Sequence, residues 1–182
     1  MTVPLPDNRM DRVLLSEGQI SEAVARLGRE IAADYIGRDL ALVTVLRGGA
    51  FFLADLCRAV ELPLSLDFMA ISSYGPQVED AVRITKDLDD TIEGRDVLMV
   101  EDIIDTGLTL NYLMRVLRQR SPASLAVCTL LDKDARRLVD LPIAYRGFSV
   151  PDRFLVGYGL DLGGLWRNLP YIATLSDEIW DA

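Results

Sequence analysis

The chain of 182 residues contains no histidine. Every histidine-based mechanism is thereby excluded. Cysteine is scarce too: Cys57 and Cys128 are too few and too widely spaced for a disulfide framework or a zinc site, and each sits among apolar neighbours. Buried free thiols in a reducing cytoplasm are the expectation. No apolar run approaches the roughly 20 residues that span a bilayer. The N-terminus has no basic segment followed by an apolar core, so neither a membrane partner nor a signal peptide is expected. Positive charge is also in deficit, 19 Lys and Arg against 28 Asp and Glu, for a net charge of −9. That balance argues against a nucleic-acid partner, which needs a basic face. An anionic ligand must be held by local Arg and Lys, backbone N–H groups or a metal.

What the chain does have is one information-dense stretch, residues 97–110. Residues 97–100 form a short unbroken apolar run, as in a strand buried on both faces of a parallel sheet. Two carboxylates follow, Glu101 and Asp102, and then Asp105-Thr106-Gly107 and Thr109. Leu110, Leu113, Met114 and Leu117 recur on one helix face. A strand that turns through Gly and Thr into a helix N-terminus makes an anion site, because free N–H groups and the positive end of the helix dipole point into the turn. Two acids beside a phosphate cradle must face something else, either sugar hydroxyls or a bridging Mg²⁺. A ligand with a phosphate at one end and a diol close by is a ribose 5-phosphate.

The rest of the chain supplies the frame. Ser16 and Gln19 read as a capping box for a helix with Ile20, Val24, Leu27, Ile31 and Tyr35 on one face, ended by Gly37. Residues 41–46 form a second buried-strand run that stops at Arg47-Gly48-Gly49, and helix periodicity returns over 50–60. Residues 64–71 predict a strand broken at Ser72-Ser73-Tyr74-Gly75-Pro76, and the polar stretch to Asp90 reads as a functional loop. Residues 125–131 predict another strand, ending at Asp132-Lys133-Asp134, with a helix-permitting segment to Leu141-Pro142. This order predicts a single α/β domain over 1–182: a doubly wound, mostly parallel sheet flanked by helices. Its core spans about 38–142, under a small cap formed mainly by 143–182 with the N-terminal segment. Every polar motif follows a strand, so the ligand crevice is expected outside the strands' carboxyl ends.

Residues 97–110 resemble the signature of the type I phosphoribosyltransferases: a hydrophobic strand, two acids, two spacers, then Asp-Thr-Gly-x-Thr. Further segments resemble successive blocks of the hypoxanthine (hypoxanthine-guanine) members: residues 46–49, 71–75, 131–133, 154–161 and 167–170. The resemblance implies Mg²⁺-dependent transfer of ribose 5-phosphate from PRPP to N9 of a 6-oxopurine, releasing pyrophosphate in purine salvage. It implies that Glu101 and Asp102 bind ribose and metal, and that Arg47 and Gly48 cradle pyrophosphate, which Arg167 neutralises. Asp161 would serve the metal and the purine. The main chain of Asp105, Thr106, Gly107, Leu108, Thr109 and Leu110 would hold the 5-phosphate, with Asp105 as general base. Lys133 would select a 6-oxo group, Phe154 would stack on the purine, and the Leu155 backbone would meet its Watson–Crick edge. Ser73 and Tyr74 would belong to a lid over PRPP. A homo-oligomer, dimer or tetramer, is expected on resemblance alone. Departures are Arg47 where many relatives carry Lys, the acids Glu79 and Asp80 in the lid, and Leu162-Gly163-Gly164 in place of a bulkier segment. Three alternatives stand beside this reading. One is xanthine-guanine-type specificity. Another is a non-catalytic nucleotide-sensing regulator on the same fold, disfavoured by the acidic charge. The last is a receiver-type signalling domain, which leaves Asp-Thr-Gly-x-Thr unexplained.

Overall fold

Strand β1 (Met10–Leu15) opens the part of the chain that a computed structural model describes, residues 8–73 and 82–176. Helix α1 (Glu17–Asp34) follows. Its capping box is formed: Gln19 N donates to Ser16 Oγ at 3.3 Å, and Ser16 N donates to the Gln19 side chain at 3.0 Å. Strand β2 (Leu40–Leu46), helix α2 (Gly49–Ala59) and strand β3 (Leu64–Ser73) make one unit. Strands β4 (Val82–Lys86) and β5 (Asp96–Ile104) lead into helix α3 (Leu108–Arg118) and strand β6 (Ser124–Asp132). The chain ends with the short strands β7 (Tyr145–Ser149), β8 (Leu155–Val156) and β9 (Ile172–Leu175).

Six strands form the main sheet in the order β4-β3-β2-β5-β6-β7, parallel except for the antiparallel β3–β4 edge. Side chains alternate across it. Leu42, Leu98, Val100, Cys128 and Leu130 pack with Leu27, Ile31, Phe52 and Leu56 of α1 and α2. Val43, Val97, Met99 and Val127 pack with Leu110, Leu113, Met114 and Leu117 of α3 on the opposite face. Burial on both faces is why these strands read as continuous apolar runs. A second, antiparallel sheet in the order β1-β9-β8 forms a hood over its own apolar cluster of Met10, Val156, Tyr171, Ala173 and Leu175.

Three details depart from the sequence reading. The main sheet runs past residue 142, because β7 pairs with β6. The polar stretch before Asp90 contains β4, whose end is tied down by Asp67. Its carboxylate accepts Asp89 N at 2.9 Å and Asp90 N at 3.2 Å. The helix-permitting segment to Leu141 forms only a 3₁₀ turn, Asp134–Arg136. At Arg137 the backbone is extended, and Leu138 N donates to Thr106 O at 3.0 Å, so the chain crosses back over the turn after β5. A helix there would forfeit that cover.

Candidate active site

The parallel strands all deliver their carboxyl ends to one edge of the sheet, and the polar motifs collect there. After β5 the chain turns through Asp105, Thr106 and Gly107, and Gly107 adopts φ +82 as it enters α3. A Cβ there would lie 2.8 Å from Leu141 Cδ1, a side-chain end that can shift, so it is the left-handed backbone that calls for glycine. The turn and the N-terminus of α3 line a cavity of about 190 Å³ with Glu101, Asp105, Thr106, Gly107, Thr109 and Leu110. The Leu110 side chain is buried in the core, which leaves its N–H as the group it offers. Leu108 is 43 % exposed and lines neither this cavity nor the next.

Glu101 and Asp102 are half-buried beside it. Loss of hydration holds Glu101 well above the usual carboxylate range, and the Asp102 charge adds to this. Asp102 is pushed up to about 6, mainly by the same desolvation. An N–H bond from Ile103 at 2.7 Å and the Arg167 charge oppose the rise, and the Asp161 charge adds to it.

Arg47 follows β2 through a cis peptide bond with Leu46. At Gly48 a Cβ would fall 1.9 Å from Asp102 Oδ2, and one at Gly159 would fall 2.3 Å from Gly48 O. The Arg47-Gly48 turn is therefore pressed between Asp102 and the loop before Asp161. That loop is braced by Arg167, which reaches Asp161 at 2.5 Å and donates to Gly159 O at 2.5 Å. Arg9, near the other end of the chain, stacks over Trp166 at 4.4 Å and ties the hood to this loop.

A second cavity, about 470 Å³, is lined by Arg47, Gly48, Asp102, Asp105, Lys133, Arg136, Phe154, Leu155, Asp161 and Arg167. Lys133 is only 5 % exposed, with its ammonium 3.8 Å from Asp105 and 3.7 Å from Asp152. Asp132 beneath it is buried and paired with Arg137 and Arg146. Asp105 lines both cavities.

The pattern that defines the phosphoribosyl transferase domain matches residues 14–162. The chain is 50 % identical over 172 residues to the hypoxanthine phosphoribosyltransferase of Salmonella typhimurium, covering 91 % of this chain and 97 % of that one. It is 50 % identical over 176 residues to the hypoxanthine-guanine phosphoribosyltransferase of Mycobacterium avium, covering 92 % and 87 %. The crystal structure of a hypoxanthine phosphoribosyltransferase from Staphylococcus aureus superposes with a TM-score of 0.90 at 44 % identity and covers 95 % of each chain. The chain belongs to the phosphoribosyltransferase family.

As a phosphoribosyltransferase it carries the family's mostly parallel sheet flanked by helices. Of the residues singled out from sequence, Glu101, Asp105, Thr106, Gly107, Thr109 and Leu110 meet in the first cavity. Arg47, Gly48, Asp102, Asp105, Lys133, Phe154, Leu155, Asp161 and Arg167 meet in the second. Ser73 ends β3, and Tyr74 lies outside the described residues, as do Glu79 and Asp80. The sequence reading passes over Arg136, Arg137 and Asp152. Arg136 reaches Asp105 at 3.4 Å and Asp152 at 3.6 Å, and Arg137 binds Asp132 and the Asp105 carbonyl. The run Asp132-Lys-Asp-Ala-Arg-Arg137 directly after a strand is the signal that could have found the two arginines.

The donor set suits Mg²⁺. Glu101, Asp102 and Asp161 offer oxygen only, and burial of the first two creates a demand for positive charge beside them. Among the described residues no three acidic, His or Cys groups stand close enough to cage an ion alone.

Proposed function

We propose that this protein is a purine-salvage enzyme that transfers the 5-phosphoribosyl group of PRPP to N9 of hypoxanthine, and of guanine, giving IMP or GMP and pyrophosphate. The observation that carries the reading is the position of Asp105, shared between a phosphate-sized cradle and a cavity in which Lys133 lies 3.8 Å away. On this reading the main-chain N–H groups from Thr106 to Leu110, with the Thr106 and Thr109 hydroxyls, hold the 5-phosphate at the positive end of α3. Glu101 and Asp102 face the ribose hydroxyls and the positive charge that builds on the ring as the bond from C1 to pyrophosphate breaks. Glu101, Asp102 and Asp161 would hold Mg²⁺, which when bound would supply charge neutralisation for the departing pyrophosphate. Arg47, the Gly48 N–H and Arg167 bind the same polyanion from the protein side. Asp105 accepts the proton from purine N7 as N9 attacks, a role worth ~10²–10⁴-fold when the carboxylate is well placed. Lys133 is a donor only, so it suits O6 of a 6-oxopurine and disfavours the N6 amine of adenine. Phe154 stacks on the base, and the Leu155 main chain meets its Watson–Crick edge. Ser73 and Tyr74 belong to the lid that excludes water from a cationic sugar.

We also infer a cytoplasmic homo-oligomer, a dimer or tetramer, acting on small molecules. Two free thiols support the compartment, and among the described residues no helix is long and apolar enough to cross a membrane. A monomer mass by light scattering would overturn the assembly.

The deciding assay is nucleotide formation from PRPP and Mg²⁺ with hypoxanthine, guanine, xanthine or adenine, beside an Asp105→Asn control. Turnover of hypoxanthine or guanine but not adenine, much reduced in the control, is the expected result. Turnover of xanthine would shift the specificity. PRPP binding without turnover of any base would favour a regulator.

A further inference from the structure

The Lys133 ammonium is shared almost equally by two carboxylates, Asp105 at 3.8 Å and Asp152 at 3.7 Å. The Arg136 guanidinium bridges the same pair at 3.4 and 3.6 Å. Two cations and two anions thus form a closed ring, three of whose members, Asp105, Lys133 and Arg136, line the second cavity. Its members come from three strand ends: Asp105 after β5, Lys133 and Arg136 after β6, and Asp152 after β7. Lys133 is 5 % exposed, whereas the two carboxylates and Arg136 have side chains 39–42 % exposed.

Asp105 and Lys133 have tasks on adjacent atoms of the purine under the function proposed above, N7 and O6. When Asp105 turns to N7 it gives up part of its contact with Lys133, and O6 is a neutral oxygen that does not replace a carboxylate charge. A buried ammonium left with Asp105 alone would follow that carboxylate rather than stay on O6. Asp152 supplies a second anion that has no purine atom to serve. It also engages Arg136, which otherwise adds a second cation competing for Asp105.

We propose that Asp152 is a positioning residue for base recognition, acting through Lys133: it anchors the ammonium on the purine's 6-oxygen while Asp105 is engaged at N7. The role rests on the reading of Lys133 given above, and it assigns a function to a residue that no sequence motif marks. Asp152 is not a catalytic residue on this view, because its carboxylate meets Lys133 and Arg136 rather than the substrate.

The test uses two nucleotides, IMP and purine riboside 5′-monophosphate, the second of which lacks the 6-oxygen and the N1 proton that goes with it. Their dissociation constants are measured by calorimetry on the whole protein and on Asp152→Asn and Asp152→Glu, with PRPP binding as a check that each variant is folded. The expected result is that Asp152→Asn weakens IMP about tenfold or more, consistent with truncating one side of a partly buried charge pair. The nucleotide lacking O6 should change by no more than about twofold, since it has nothing for Lys133 to hold. Asp152→Glu, which keeps the charge, should recover most of the IMP affinity. Equal weakening of both nucleotides would reduce Asp152 to a structural role and overturn the proposal, as would an unchanged IMP affinity in Asp152→Asn. If the wild type itself fails to prefer IMP over the 6-unsubstituted nucleotide, the assignment of Lys133 fails, and this proposal with it.

Discussion

Asp105 is the residue at which the two cavities meet, and its neighbours explain how a plain carboxylate is kept ready. Lys133 and Arg136 hold it in place without burying it, since its side chain remains 41 % exposed. Asp105→Asn keeps the shape and removes the proton acceptor. It should lower kcat ~10²–10⁴-fold while PRPP still binds, as read by steady-state kinetics beside PRPP calorimetry. Gly48 gives a second test. A methyl group there would land 1.9 Å from the Asp102 carboxylate, which is the mobile end of a side chain and can swing away. Gly48→Ala should therefore leave the melting temperature nearly unchanged yet cut kcat/KM more than ~10-fold, because a misplaced group near the chemistry is costly. An unimpaired Gly48→Ala enzyme would show that Asp102 need not stand where it does. These residues were legible in the sequence because their chemistry is written in contiguous spacing. Asp152 was not: its meaning arises only when β6 and β7 bring their ends together, and a lone Asp after Pro151 carries no pattern.

At the scale of elements, the strands and helices of the main sheet were legible wherever burial was uniform. Residues 97–100, 41–46 and 125–131 read as strands because both faces are covered. The hood was legible only as a region. Its strand β8 has two residues, Leu155–Val156, too few for any periodicity, and β9 has four. The helix-permitting segment after Asp134 forms only a 3₁₀ turn, because the bonds from Leu138 to Thr106 and from Arg137 to Asp132 outweigh local propensity. Helix α1 offers a matched experiment on propensity against packing. A Cβ on Gly18 would meet nothing within 4 Å, whereas one on Gly28 would lie 2.4 Å from Ala59 O at the end of α2. Gly18→Ala should raise stability by about 0.5 kcal/mol, the low end of the helix preference because the site is in the first turn. Gly28→Ala should lower it by about 1–3 kcal/mol, the usual cost of overpacking against backbone that cannot retreat. Urea midpoints of both variants, compared at equal slope, decide the matter. If both moved upward, the contact between α1 and α2 would have to be looser than it stands.

The whole molecule carries a net charge of −9, yet four of its cations, Arg47, Lys133, Arg136 and Arg167, gather around one cavity. Local arrangement therefore overrides overall charge, which is why composition alone could not locate the site. Folding as a whole also hides groups that would ionise in base. Burial pushes the Cys128 thiol above its ordinary value of 9.0. It likewise raises Tyr35, Tyr145 and Tyr158 above the ordinary 10.0, with hydrogen bonds to Asp34 and Asp55 adding to the rise for Tyr145 and Tyr158. All four shifts have the same sign, so their contribution to stability is complete below the unfolded values and is lost as pH rises past them. In the unfolded chain the thiol releases its proton first and the phenols follow, while the folded chain still holds all four. The contribution of these four groups to stability should therefore be nearly flat up to about pH 9 and then fall, by at most about 1.4 kcal/mol per pH unit for each group. Denaturant midpoints across this range measure the slope. Tyr158→Phe should flatten the steep part above the ordinary tyrosine value, because it removes one ionisation without removing the ring. It should also cost stability near neutrality through loss of the bond to Asp55. A slope unchanged in Tyr158→Phe and Tyr145→Phe alike would mean that the phenols ionise in the folded protein, and that the packing of α1 and α2 against β7 and the hood admits water.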